Sequence, residues 1–144
     1  MRRNLTKIFI DASLIIYFNV RLQDHEARFV EEFWLDLLLN HTLYTNILAL
    51  DEAIYVSNRK YDISYTDTIE FIDKAIIPYV NILSIGVNEY IKAKEIMKKY
   101  KVKPSDAIHV ATIINNGLQG IASEDKDFDK IGIKRLWMKT YKLG

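Results

Sequence analysis

The sequence predicts a three-layer α/β/α domain built on a mostly parallel β-sheet. Three observations lead there. Short apolar runs suited to buried strands alternate with longer segments whose apolar residues recur at helical spacing. Several strand-like runs end on a polar residue that can open the next helix or turn: Asp11, Asn46 and Ser123. No internal repeat, low-complexity tract or linker interrupts the alternation, so residues 1–144 are read as one domain.

The elements follow in order. Lys7 to Ile10 reads as a buried strand leading directly into Asp11, and ligands of open parallel sheets sit beyond the carboxyl ends of the strands. Asp11 is equally placed to cap the apolar helix over residues 12–18. Residues 24–40 form a helix with the stripe Ala27, Val30, Phe33, Trp34, Leu37 and Leu38. Phe29, Leu35 and Leu39 fall outside that stripe and imply a second apolar surface, either within the molecule or against a dimer mate or other partner. Thr42 to Thr45 is a second strand, and Asn46 caps a helix over residues 47–60.

In that helix Ala49, Glu52, Ala53 and Val56 share one face, where a glutamate is unfavourable unless paired or bound to a metal. Asp51 points about 100° away, towards solvent. Residues 64–77 make a helix stopped by Pro78, residues 79–85 a short third strand, and residues 87–100 another helix. Pro104 starts the next helix and puts Asp106 in its first turn. Ala107, Ile108, Ala111 and Ile114 keep its period and Asn116-Gly117 ends it. Gly120 to Ala122 is a buried strand running into Ser123 and four acids within six residues. The helix must run antiparallel to this strand, so Asp106 and Asp125 are expected to meet. Residues 133–137 form a last short strand before a basic tail.

Composition excludes several classes. A chain 49% hydrophobic and 12% aromatic is not disordered, and 144 residues can bury a core without staples. The absence of cysteine removes disulfides, zinc–thiolate sites and thiol nucleophiles, and suits a reducing cytoplasm. The start resembles a secretory leader, but Asp11 breaks its apolar run and no small-residue cleavage site follows. No apolar run is long enough to span a membrane. A net charge of +1 does not announce a nucleic-acid binder, yet Lys98, Lys99, Lys101 and Lys103 crowd the approach to Asp106.

Asp11, Glu52, Asp106 and Asp125 thus converge on one edge of the sheet. Carboxylates on strands ~4.8 Å apart can bridge one or two small cations, and without a cation some would be forced to protonate. An all-oxygen donor set suits Mg²⁺ or Mn²⁺ and phosphoryl chemistry, with the nearby lysines contacting a polyanion. His109, one turn after Asp106, is read as a buried ring with a satisfied nitrogen; His25 and His41 have no ligand spacing with it.

Phe9-Ile10-Asp11-Ala12-Ser13, Leu50-Asp51-Glu52, Ser105 to Ala111 and Ser123 to Phe128 resemble the ordered motifs of the PIN-domain ribonucleases. The resemblance spans nearly the whole chain and is greatest to the VapC-type toxins of prokaryotic toxin–antitoxin pairs. It implies a PIN-like nuclease domain, a Mg²⁺- or Mn²⁺-dependent endoribonuclease acting on RNA in the cytoplasm, a homodimer, and a small antitoxin that masks the site. It places Asp11, Glu52, Asp106 and Asp125 on the family's acidic quartet and Ser123 on its hydroxyl position. Asp127 is then a supporting acid or further ligand, Ser13 supports the turn, and Asp129 is solvated. An RNA-maturation nuclease outside such a pair, a catalytically silent RNA-binding module and a small-substrate phosphatase are the competing readings.

Overall fold

In the computed structural model, which describes residues 5–20 and 24–138, the strand β1 (Thr6–Ile10) is the middle of a five-stranded sheet. It pairs with β2 (His41–Asn46) on one side and β4 (Gly120–Ala122) on the other. The short strands β3 (Asn81–Leu83) and β5 (Arg135–Leu136) form the edges, giving the order β3-β2-β1-β4-β5. All four pairings are parallel, so every strand delivers its carboxyl end to the same edge.

The strand connections are helical: α1 (Ala12–Asn19) and α2 (Asp24–Asn40), then α3 (Ile47–Tyr61) and α4 (Tyr65–Ala75), then α5 (Val87–Lys99) and α6 (Pro104–Asn115). Period-two alternation sends neighbouring β1 side chains to opposite faces. Ile8 and Ile10 pack among Leu14 and Ile15 of α1, Phe33 and Leu37 of α2, Ala53 of α3 and Ile72 of α4. Phe9 packs on the other face with Ala93 and Ile96 of α5 and Ala107, Val110 and Ala111 of α6. The expected stripe on α2 is the buried one, with Val30, Phe33, Trp34 and Leu37 in the core.

The edge strands are shorter than their apolar runs. β3 has Asn81 and Ile82 exposed and pairs only with β2, because the chain is still turning from α4 where Tyr79 N–H donates to the Ile76 carbonyl. β5 is confined to two residues, beyond which Trp137 turns into the core against Tyr17 and Phe33. Gly120 serves a close approach: a Cβ there would lie 2.7 Å from the Lys134 carbonyl oxygen. The basic tail lies outside the described residues. Among those residues no helix is long and apolar enough to cross a membrane.

Candidate metal centre

Asp11 follows β1 and caps α1, accepting the Ser13 N–H at 2.9 Å. The Ser13 hydroxyl also donates to Asp11 Oδ1, and the Ser123 hydroxyl donates to Oδ2. Both carboxylate oxygens of a buried residue are therefore engaged. Burial is the main influence on this carboxyl and pushes its pKa up, opposed by the bonds from Ser123 and Ser13 and by the nearby His109.

The two serines also tie the ends of β1 and β4 together. Ser123 Oγ accepts the Asp125 N–H at 3.0 Å, and Ser13 Oγ accepts the Glu124 N–H at 3.1 Å. The turn after β4 is held so that Asp125 caps a 3₁₀ helix, Lys126–Ile131, through a 2.9 Å bond from the Asp127 N–H. Arg135 reaches back to the Ser123 carbonyl at 3.1 Å while pairing with Asp129.

Asp106 lies in the first turn of α6, where Pro104 starts the helix as its missing N–H permits. It is 8% exposed, and its Oδ2 has no hydrogen-bond partner among the described residues. Oxygens of Asp106, Asp125 and Asp127 lie within 4.8 Å of one another. Burial, reinforced by the charges of Asp125 and Asp11, pushes Asp106 up to about 6 against the opposing pull of His109 and Lys103. A buried carboxylate with an oxygen that lacks a donor, on a residue clustered with two more acids, fits a divalent cation: the ion supplies the charge and lone-pair acceptor that the protein does not.

Glu52 stands apart from this trio. Its Oε1 takes a 2.8 Å bond from Nε2 of His109, whose ring is buried against Phe9 with centroids 5.1 Å apart. The other ring nitrogen, Nδ1, faces the amide nitrogen of Asn46 at 3.3 Å. Asn46 is fixed in turn, with Oδ1 capping α3 through the Ala49 N–H and Nδ2 donating to Thr112.

Of the residues singled out in the sequence, Asp106, Asp125 and Asp127 share one cluster, Asp11 and Ser123 are bonded to each other, and Glu52 is bonded to His109. Lys98 and Lys99 are exposed in the last turn of α5 and Lys101 and Lys103 in the link that follows, with Lys103 at the N-cap of α6. Sequence reasoning missed the partnership of Asn46, Thr112 and Glu52 around His109. The i, i+3 spacing of Asp106 and His109 was visible, but the partners come from another helix. The side chain of His25 lies outside those described.

The fold and this arrangement of acids define a parallel α/β protein with a carboxylate cluster at its C-terminal sheet edge. The PIN-domain profile matches residues 8–134, and the chain belongs to the PIN-domain family. No sequence match is found among curated proteins. Solved structures share the fold. VapC20 of Mycobacterium tuberculosis, a toxin that cleaves the sarcin–ricin loop, is 16% identical with a TM-score of 0.71, over 88% of this chain and 96% of its own. FitAcB of Neisseria gonorrhoeae gives the same identity and TM-score over 93% and 99%. A toxin–antitoxin complex from Klebsiella pneumoniae matches at 21% identity and a TM-score of 0.60, over 86% and 92%.

Proposed function

We propose that this protein is a Mg²⁺- or Mn²⁺-dependent endoribonuclease, one nuclease domain over its whole length, and the toxin of a toxin–antitoxin pair. The observation that carries the reading is the unpartnered, buried Oδ2 of Asp106 beside Asp125 and Asp127. These three acids, joined by Glu52, would hold the cation, with Asp11 completing the acidic wall. When bound, a divalent ion supplies a more acidic water and offsets the charge of a scissile phosphodiester.

The rest falls to the chain itself. Ser13 and Ser123 orient Asp11, leaving its carboxylate no freedom to swing. Carboxylates not bound to the ion orient the attacking water, and cleavage leaves 5′-phosphate and 3′-hydroxyl ends. The exposed Lys98, Lys99, Lys101 and Lys103 contact RNA phosphates. The toxin assignment is supported by the structural neighbours, among them a toxin and a toxin–antitoxin complex. Phe29, Leu35 and Leu39, exposed by 55%, 56% and 72%, supply an apolar face for an antitoxin or a second copy.

The test is cleavage of an end-labelled mixed RNA by the protein and by Asp11→Asn, with Mg²⁺, Mn²⁺ or chelator. We expect fragments that need the metal and vanish in the variant. Fragments that persist in chelator, or at full yield from Asp11→Asn, would overturn the reading. Inhibition at equimolar ratio by the product of a small adjacent reading frame would test the toxin half.

A further inference from the structure

The geometry points to His109 as a positioning residue for Glu52, held in one tautomer by Asn46. The inference rests on the nuclease reading above and deepens it. Asn46 cannot turn its amide over, because Oδ1 is committed to the Ala49 N–H at 2.9 Å and Nδ2 donates to Thr112 Oγ1 at 3.0 Å. Its Nδ2 is therefore the atom facing His109 Nδ1, which must accept. The ring proton then sits on Nε2 and is donated to Glu52 Oε1 at 2.8 Å.

Each link is clamped by packing. His109 is 1% exposed against Phe9, and Asn46 and Thr112 are fully buried. Glu52, by contrast, keeps a third of its side chain in solvent and makes no other hydrogen bond among the described residues. Without the imidazole it would be free to rotate outward. A hydrogen-bonded histidine behind a carboxylate ligand fixes which oxygen is presented to a cation, and loss of such a partner typically weakens binding by about 10–100-fold. Helix α6 thus contributes twice, with Asp106 as a ligand and His109 as the brace for an acid on α3.

The experiment titrates metal-free protein with Mn²⁺, reading the EPR signal of the free ion, with no RNA present. His109→Leu should weaken binding about 10–100-fold, while His109→Gln, whose amide nitrogen reaches the place of Nε2, should stay near the wild type. In a Glu52→Gln background, His109→Leu should add no more than about twofold, as for residues acting as one unit. Thermal midpoints in chelator identify variants that have lost the fold. Long-range ¹H–¹⁵N spectra of the metal-free wild type should place the proton on Nε2, and a proton on Nδ1 would overturn the assignment. So would full affinity in His109→Leu, or losses that add to those of Glu52→Gln. A wild type that neither binds Mn²⁺ nor cuts RNA overturns the nuclease reading with it. One that does both, with an indifferent His109→Leu, overturns this assignment alone.

Discussion

Asp11 and Asp106 are both buried carboxylates, raised in pKa by their surroundings, yet they are built in opposite ways. Asp11 is saturated: two serine hydroxyls and a backbone N–H occupy its oxygens and stitch β1 to the turn after β4. Asp106 is left open, with one oxygen unpartnered and two acids opposite. One carboxylate organises the sheet edge and the other is presented to whatever arrives there. Burial alone does not make a functional acid; burial without partners is the stronger sign.

Asp106→Asn should abolish metal-dependent cleavage, a loss exceeding the 10–100-fold typical of residues that only support a ligand. The same change should stabilise the metal-free protein. A carboxyl with a folded pKa of about 6 against 3.8 unfolded keeps a proton that the unfolded chain releases. Its contribution to stability is therefore lost as pH rises from about 4 to about 6. In chelator, the thermal midpoint of Asp106→Asn should exceed that of the wild type at pH 7.5 and converge with it near pH 4. Saturating Mn²⁺ should reverse the order at pH 7.5. A variant less stable than the wild type in chelator at that pH would break the contrast.

Ser123→Ala tests the other side. It strips a bond from Asp11 Oδ2 and one from the Asp125 N–H, and should lower stability by about 1–3 kcal/mol in chemical denaturation. Cleavage should fall about 10–100-fold, through misplacement rather than loss of a ligand. Replacing Lys98, Lys99, Lys101 and Lys103 by glutamine should leave single-turnover cleavage of saturating RNA intact. The slope of log affinity against log salt should shrink by up to about 0.7 per lysine that contacts phosphate. The smallest effect on the fold is expected from Leu39→Lys, within about 0.5 kcal/mol because the side chain is exposed. If α2 is a docking face, the same change should nonetheless weaken association in sedimentation or pull-down with the partner.

The sequence made the alternation of β1 through α6 legible because caps and breakers punctuate it: Asp11, Asn46, Ser64 and Pro104 each sit where a helix begins. The shortened edge strands were not legible to the residue, since an apolar run does not say how far a single neighbour will pair with it. The 3₁₀ helix after Asp125 was also unforeseen, although the Asp125-x-Asp127 spacing is what an Asx-type cap needs. Among the candidate acids, chain order suggested a common edge but not the division of labour. That Asp127 joins Asp106 and Asp125, while Glu52 binds a histidine, depends on contacts between separate helices that no local pattern encodes.

The bond from Ser123 to Asp11 spans 112 positions of sequence, and its consequence belongs to the timing of synthesis. A chain arrested before Gly120 already carries Asp11, Glu52 and Asp106, but lacks the strand that lies beside β1 and the hydroxyl that pins Asp11. Contacts of such separation form late. A growing chain therefore has no acidic cluster until the segment from Gly120 to Asp127 has emerged and can fold beside β1.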